Sequence, residues 1–394
     1  MRLERGQRRA VVLVVVVTQL LVAVITGVVV SVAYEKLDKN FISGEPIEHR
    51  AKKQHHIGGD PLDILVMGSD TRAGAGNDID GQTDIGERSD TTILVHVSAD
   101  RKTVYGVSLP RDAMVKRPDC EDADGKTVPG ADLDMFNAAY SLAGPTCTVA
   151  QVEALTGIYI DHYVTVDFNG FKDMVEAVHG VTVCIPEAVD DSAHGITFEA
   201  GTQQLDGQQA LDYVRERSST PNADIGRMKR QQAFLASMIN KVVSAGTLTR
   251  PSRVYNFLKA ATGSIVTDPD LSSLSDLVHL AWQFRRTDLD NITFITVPFE
   301  EYPVDPNRLI WSDSAKGLWK VILADKPLPK KYKEQAISAD APPGTPSGSA
   351  SASGPSQSSS QSSSQSPSQS PSQSPSSSAD GQSHEDAAAN GLCG

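Results

Sequence analysis

The feature that most constrains this chain is a long apolar segment near its amino terminus. Residues 10–33 are almost all Val, Leu, Ile and Ala, and they contain no charged residue. As a helix the segment is long enough to cross a bilayer core of about 30 Å. The four residues that carry positive charge before it are Arg2, Arg5, Arg8 and Arg9. We therefore expect a cytoplasmic amino terminus at 1–9, a membrane anchor at 10–33 and an extracytoplasmic remainder.

A second interpretation of the same segment is that it is a cleaved secretory signal. Ser31, Val32 and Ala33 weakly resemble the small-residue site at which signal peptides are cut. The apolar run exceeds the usual length of a signal core, so the anchor is favoured. Both readings export the rest of the chain.

The overall charge limits the kinds of partner. The formal net charge is -13 and the sequence pI is about 5.1. A general nucleic-acid binder needs a basic surface that neutralises phosphates, so nucleic acid is not expected as a partner. Any site for an anion must be local.

The chain after the anchor divides into three parts by composition. Residues 34–60 are polar without a clear period and are expected to form a stalk, and a globular domain is expected at 61–335. Residues 336–394 are mostly Ser, Gln, Pro and Gly and predict a disordered tail, because they cannot bury enough surface to offset the entropy of ordering. The tail could thread the cell wall or serve only as a spacer.

Strand-like and helix-like segments alternate within 61–335. Strands are expected at 64–67, 92–97, 104–109, 159–168, 180–186 and 292–297, and helices at 149–155, 170–178, 224–244 and 271–284. Order is expected to end near Lys333. This alternation predicts an α/β fold, with a central mixed sheet between helical layers.

Four cysteines fit an oxidising compartment. Cys120 and Cys147 flank a turn-rich polar segment, where a disulfide would restrain the chain, and this pairing is favoured. Cys184 lies in an apolar strand and is expected to fill space or to serve as an alternative partner, while Cys393 is expected to be unpaired. Zinc ligation is not expected, because no cysteine has partners at zinc-like spacing.

Charged residues lie where predicted strands begin or end. They form the pairs Asp70 and Arg72, Arg88 and Asp90, and Arg111 and Asp112. One such pair would be interpreted as a surface ion pair of little energetic value. Three at the ends of neighbouring strands indicate one converged edge that binds a ligand.

A second group of basic residues lies further along the chain. Arg215 and Arg217 would point to one side if their segment were extended, and would diverge on a helix. Arg227 and Gln231 share a face in the first turns of the helix that Asp224 is expected to cap. Paired guanidiniums and a helix amino terminus suit a diphosphate, although a solvated basic face would explain the helical residues equally well.

These segments together resemble the LytR-CpsA-Psr family of phosphotransferases, which attach glycopolymers to peptidoglycan. The matching segments are 63–72, 88–91, 108–112, 205–217 and 224–232. They occur in order over residues 62–245, which makes the set specific although each motif alone is weak. The resemblance implies an α-β-α domain with an apolar groove for a polyprenyl chain and a polar mouth for its pyrophosphate.

The resemblance also implies roles for individual residues. Asp70 and Asp90 would bind Mg²⁺ or Mn²⁺. The residues that would contact the pyrophosphate are Arg72, Arg88, Arg111, Arg215, Arg217, Arg227 and Gln231. Those expected to act in catalysis are Arg111, Asp112, Arg215 and Arg217. Such a set suits phosphoryl transfer, which depends on positioning and on charge neutralisation.

The expected partners are a polyprenyl pyrophosphate-linked glycan as donor, peptidoglycan as acceptor, and the cell membrane. Two other functions are compatible with the sequence: a pyrophosphatase that acts on the same lipid, and a non-catalytic protein that binds or regulates the wall. The long acidic loop 73–87 departs from the family pattern and could alter access to the site.

Overall fold

A computed structural model describes the chain over residues 5–39, 41–56, 59–69, 89–192, 195–217, 223–244, 250–334, 336–343 and 392–393. Its strands are β1 (Ile42–Ser43), β2 (Leu62–Ser69), β3 (Ser89–Val97), β4 (Val104–Leu109), β5 (Met114–Arg117), β6 (Cys120–Glu121), β7 (Thr127–Val128), β8 (Ala131–Met135), β9 (His162–Val166), β10 (Val181–Ile185), β11 (Val189–Asp191), β12 (Ile196–Phe198), β13 (Gly201–Leu205), β14 (Ile265–Thr267), β15 (Ile292–Thr296), β16 (Phe299–Tyr302), β17 (Asp305–Trp311) and β18 (Ile337–Ser338).

The helices in the same residues are α1 (Arg5–Asp38), α2 (Ala138–Thr156), α3 (Phe168–Ala177), α4 (Gly207–Arg215), α5 (Ala223–Ser244), α6 (Pro251–Thr262), α7 (Leu274–Gln283), α8 (Asp313–Leu323) and α9 (Lys330–Lys333). Three short 3₁₀ turns lie at Pro269–Leu271, Phe284–Arg286 and Leu289–Asn291.

Helix α1 contains the predicted anchor. Its segment Thr18–Asp38 is long and apolar enough to span a bilayer. The carboxyl end of α1 is attached to the domain, because Leu37 is buried and the backbone N–H of Leu274 donates a 3.0 Å hydrogen bond to Asp38.

Eight strands form one mixed sheet, in the order β1, β14, β9, β2, β3, β4, β15, β18. The register is antiparallel within β2, β3 and β4, while β9 runs parallel to β2 and β15 runs parallel to β4. The central strands are almost wholly buried, as the apolar runs in the sequence predict.

Helices cover both faces of this sheet, as expected for an α-β-α fold. On one face Leu65 and Met67 pack with α2 and α8. On the other face Ile64 packs with α5 and α7. The alternation along β2 follows from the two-residue period of a strand.

A third apolar cluster lies beside the main sheet. It joins α3, α4 and α5 to the two-stranded sheet of β10 and β13, and Val183, Tyr213 and Phe234 are among its buried members. The strand that holds Cys184 therefore belongs to this small sheet and not to the central one.

The predicted stalk at 34–60 is partly wrong. Residues 42–43 form β1, which pairs with β14 at one border of the main sheet. The backbone N–H groups of Arg50 and Ala51 donate hydrogen bonds to the buried carboxylate of Glu153. Polar composition alone does not reveal these contacts, because the hydrogen bonds come from the backbone.

The carboxyl-terminal expectations also need correction. Cys120 and Cys147 form a disulfide, the favoured pair, but Cys184 and Cys393 form a second one, so Cys393 is not unpaired. Order does not end near Lys333, because β18 pairs with β15. Both contacts are long-range and cannot be inferred from local composition.

Two boundaries differ from the sequence expectations. The strand expected at 159–168 ends at Val166, and Phe168 begins α3, which Asp167 caps by accepting a hydrogen bond from Gly170. Helix α5 begins at Ala223, so Asp224 lies in its first turn and not before it.

Candidate functional site

The ends of five strands meet at one edge of the sheet. Because β3 is antiparallel to its neighbours, its first residues lie beside the last residues of β2 and β4: Thr91 pairs with Gly68, and Thr92 with Leu109. The parallel strands β9 and β15 end at the same edge. The residues that follow β4 therefore meet those that open β3.

A β-bulge presents Asp90 at this edge. Ser89 pairs with Ser69 and Thr91 pairs with Gly68, so Asp90 is the extra residue of β3 in this register. A bulge twists the strand locally and redirects a side chain, and bulges are common beside active sites. Asp90 consequently faces the segment that follows β4.

A chain of alternating charges runs from Asp90 across the edge. The Arg111 guanidinium donates a hydrogen bond through Nη1 to Asp90. It donates a second one, of 3.1 Å, through Nε to Asp112. The other oxygen of Asp112 accepts a 3.1 Å hydrogen bond from Arg308 Nη1. Asp112 thus holds two arginines, one from each side.

Three arginines act on the Asp90 carboxyl. Burial would raise the pKa of Asp90, but the charges of Arg111, Arg227 and Arg217, with the hydrogen bond from Arg111, hold it below its usual range. Arg217 and Arg227 are therefore close enough to act on Asp90 electrostatically. The structure thus brings Asp90, Arg111, Arg217 and Arg227 together at this edge of the sheet.

Helix α5 closes the site from the side. A small cleft is lined by Asp90, Arg111, Asp112, Arg227 and Gln231. Only 2% of Arg227 is exposed, so its guanidinium acts in a region with little water. Gln231 Nε2 donates to the backbone carbonyl of Val214 at 3.1 Å and thereby ties α5 to α4.

Gln232 and Arg230 fix the position of α5. Gln232 Nε2 donates to the hydroxyl groups of Ser108 and Thr296 at 2.8 and 2.9 Å, which joins the helix to the ends of β4 and β15. Arg230 forms a buried ion pair of 2.9 Å with Glu216, next to Arg217. Buried polar pairs of this kind position the arginines that face the cleft.

Arg215 is carried to the same edge of the sheet by helix α4. It ends helix α4, which opens with a capping box formed by Asp206 and Gln209, so residues 213–217 are not extended throughout. The Arg215 guanidinium lies over the ring of Phe168, 4.9 Å from its centre. Phe168 comes two residues after the end of β9, so Arg215 lies near the same edge.

Three expected site residues lie outside the described part of the chain. These are Asp70, Arg72 and Arg88. Their neighbours in sequence, Ser69 and Ser89, pair with each other at the edge.

The described residues can be tested for their fit to Mg²⁺. No three His, Cys, Asp or Glu side chains converge on a metal position within the described ranges. Asp90 offers one carboxylate, whose Oδ1 accepts the hydrogen bond from Arg111. Mg²⁺ commonly takes one or two carboxylates plus substrate phosphates and water, and Asp90 fits such a set.

One site residue has no counterpart among the sequence expectations. Arg308 lies on β17, and Leu309 beside it donates a backbone hydrogen bond to Asp112 and lines the cleft. The 299–311 segment has no motif that identifies it. The apolar run Leu309–Trp311 could have suggested a strand, but nothing in the sequence marks Arg308 as its functional residue.

The fold and the site define a class of protein: an α-β-α domain behind an apolar amino-terminal helix, with an arginine and aspartate site able to bind phosphates at one sheet edge. The chain belongs to the LytR_cpsA_psr family, whose sequence profile matches residues 28–322.

Two relatives illustrate the similarity. The chain is 34% identical over 260 residues to the cell wall biosynthesis protein LcpA of Corynebacterium glutamicum, covering 60% of this chain and 49% of LcpA. It is 32% identical over 252 residues to the polyisoprenyl-teichoic acid–peptidoglycan teichoic acid transferase TagU of Enterococcus faecalis, covering 64% and 74%. The chain therefore spans about half the length of LcpA.

A solved structure shows the same fold. The LytR-Csp2A-Psr enzyme from Actinomyces oris superposes with a TM-score of 0.52 at 22% identity, covering 71% of this chain and 96% of that one. At this identity the likeness concerns the fold alone.

Proposed function

We propose that this protein is a phosphotransferase that moves a glycopolymer from a polyprenyl pyrophosphate carrier to peptidoglycan. The observation that carries the proposal is the arrangement around Asp90, where Arg111, Arg217 and Arg227 act on one carboxylate. Phosphoryl transfer needs positioned positive charge more than covalent chemistry from the protein. The family relationship and the transferase TagU support this choice.

In the proposed reaction, a hydroxyl of the wall attacks the phosphorus nearest the glycan. The new O–P bond forms as the bond to the bridging oxygen breaks, and polyprenyl phosphate leaves with that oxygen and takes up the proton that the hydroxyl gives up. The guanidiniums of Arg111, Arg217 and Arg227 stabilise the charge that develops on the phosphate oxygens. Asp112 and Arg308 hold the Arg111 guanidinium in place.

A divalent cation belongs to this proposal. Asp90, with Asp70 from the adjoining segment, would hold Mg²⁺ or Mn²⁺ together with phosphate oxygens of the donor. The cation would neutralise phosphate charge. A binding measurement tests this without turnover: Mn²⁺ bound to the full chain, detected by its electron paramagnetic resonance, should be lost in Asp90→Asn.

The carrier lipid would lie against the third apolar cluster. This cluster reaches the site, because Tyr213 is one of its buried members and Arg215 ends the same helix two residues later. The amino terminus would stay in the cytoplasm and the domain outside, next to both the lipid carrier and the wall.

The test is transfer by the full chain in proteoliposomes, with a lipid-linked glycan donor and peptidoglycan. We expect Arg111→Ala and Arg217→Ala to abolish transfer, and Arg215→Ala to do the same if its position beside Phe168 serves the pyrophosphate. Lys316→Ala, which removes an exposed ion pair on α8, is the control. Full activity in Arg111→Ala and Arg217→Ala would refute the assignment.

Product analysis separates this function from its nearest alternative. A transferase yields glycan joined to peptidoglycan through a phosphodiester, and its release of polyprenyl phosphate depends on the acceptor. A pyrophosphatase releases the same lipid product with water as acceptor, whether peptidoglycan is present or absent. A non-catalytic wall protein yields neither product.

A further inference from the structure

Helix α7 carries an exposed apolar patch. Val278 and Trp282 are 52% and 63% exposed, and they lie one turn apart on the same face. The guanidinium of Arg285 lies over the Trp282 ring, 4.4 Å from its centre. The opposite side of the helix faces the core through Leu280. The patch is therefore a presented surface and not an unfilled part of the core.

The patch lies on the helix to which the anchor is attached. Asp38 accepts the hydrogen bond from Leu274, the first residue of α7, and Leu37 is buried beside it. Asp38 follows Ala33, the last residue of the predicted anchor, by five positions, which is about 7.5 Å along a helix. The polar layer on each side of a bilayer is about 5–8 Å thick, so α7 starts at the membrane surface.

The residues around the patch are those that favour a membrane interface. Trp and Tyr concentrate at the headgroup level, and Tyr34 is exposed at the end of the apolar run. Arg285 and Arg286 supply positive charge next to Trp282, while Asp288 and Asp290 follow and reduce the net charge. Apolar insertion should therefore contribute more than attraction to anionic lipid.

We propose that Val278, Trp282, Arg285 and Arg286 form a membrane-docking surface, which inserts into the headgroup layer of the bilayer that holds the anchor. This inference concerns the orientation of the domain and does not depend on the proposed transfer reaction.

Docking would set the direction in which the site faces. Arg101, in the turn between β3 and β4, donates a 2.8 Å hydrogen bond to Gln283 at the end of α7. This turn lies at the sheet edge opposite to Asp90, and the seven residue-to-residue steps from Asp90 to Val97 span about 23 Å of strand. The docked domain would hold its phosphate site away from the bilayer, on the side of the wall acceptor.

The experiment uses the full chain in vesicles of equal parts phosphatidylcholine and phosphatidylglycerol. Part of the phosphatidylcholine carries bromine on its acyl chains, which quenches nearby tryptophan fluorescence. The three tryptophans are Trp282, Trp311 and Trp319, and the latter two lie on the far face of the sheet. We expect bromolipid to quench part of the emission, and that quenchable part to disappear in Trp282→Phe.

A charge placed in the patch provides a second measurement. Val278→Asp should reduce quenching by bromolipid several-fold and increase quenching by aqueous iodide. Leu142→Asp is the matched control, because Leu142 is 49% exposed on α2, on the opposite face of the sheet. It should leave both values unchanged.

Each other result overturns the proposal. Quenching of Trp282 by iodide alone would mean that the patch faces water. Protection from both quenchers would mean that protein covers it, as in a dimer. A chain that does not float with the vesicles would not be anchored in the bilayer. The docking proposal would then fail together with the anchor.

Discussion

Arg308 Nη1 lies 3.1 Å from one oxygen of Asp112, while the other oxygen of that carboxylate lies 3.1 Å from Nε of Arg111. Arg308 and Asp112 are separated by 196 positions in the chain. The β16–β17 hairpin thus supports the site from outside the segment that carries the family motifs. This contact can be tested apart from the arginines around Asp90.

Removal of Arg308 should weaken transfer without unfolding the domain. Arg308→Ala removes one partner of Asp112 and leaves Arg111 less firmly held. Hydrogen bonds to charged groups contribute about 1.5–3 kcal/mol, so kcat/KM should fall about ten- to a hundredfold. The measurement is steady-state transfer from the lipid-linked donor.

Two further variants serve as controls for the Arg308→Ala result. Arg308→Lys keeps the charge but not the forked geometry, and should recover part of the activity. Lys316→Ala should have no effect, since its ion pair with Asp313 is exposed. Equal activity of Arg308→Ala and the unchanged chain would contradict a positioning role.

The buried pair of Glu216 and Arg230 should be essential for stability. Their side chains are 2% and 4% exposed, and burial lowers the pKa of the Arg230 guanidinium. Glu216→Gln removes the negative charge that pairs with the buried Arg230 guanidinium, so the free energy of unfolding should fall by about 3–5 kcal/mol. Urea unfolding followed by circular dichroism measures this.

The control for this change is Glu199→Gln, at an exposed position in the same part of the fold. It should alter stability by less than about 0.5 kcal/mol. If Glu216→Gln were equally mild, the ion pair would not be what fixes the segment before Arg217.

His96 should make stability depend on pH in the alkaline range. Its Nδ1 lies 2.8 Å from Asp63 and its Nε2 lies 3.2 Å from Asp325, so a protonated ring can donate to both carboxylates. Burial opposes this, but the two carboxylates raise the pKa of His96 to about 9. The side chain is only 1% exposed, so solvent screens these interactions little.

The sign follows from a folded-state pKa that is higher than the unfolded value of about 6.5. The contribution is complete below that unfolded value and is lost as pH rises through about 9. It should reach roughly 2–3 kcal/mol, and His96→Gln should lack this pH dependence. Because burial lowers the pKa of Lys229 to about 8, the difference between the two chains across pH 6 to 10 is the quantity to measure.

Gly106 should tolerate no side chain. A Cβ at this position would lie 2.5 Å from Cδ1 of Phe294 on the neighbouring strand. Gly106→Ala should therefore lower the free energy of unfolding by about 1–3 kcal/mol, because the packed ring must move. Gly68→Ala is the matched control, since its Cβ would lie 3.4 Å from Thr91, and it should cost clearly less in thermal unfolding.

Much of the fold could be predicted, because local patterns determine it. The apolar runs of β2 and β4 are continuous, as expected for strands covered on both faces, and α5 extends close to its predicted bounds. The meeting of Asp90 with Arg111 follows from the antiparallel order of three consecutive strands. Short connections make such an order the expected one.

The remainder depends on contacts that the sequence does not encode locally. The bulge at Asp90, the ion pair from Arg308 and the pairing of β18 each require a partner far along the chain. The sequence also does not decide that Arg215 ends a helix, because the five residues 213–217 fit either a helix or an extended segment. Tertiary packing decides such cases.

The disulfide between Cys184 and Cys393 changes what the last part of the chain can do. One end of the Ser-rich segment leaves the domain after β18, and the other returns to β10 through sulfur. The Ser-rich segment is therefore covalently joined to the domain at both of its ends. A protease that cuts it once would release no fragment until the bridge is reduced, so in an oxidising compartment both pieces of the nicked protein would stay joined.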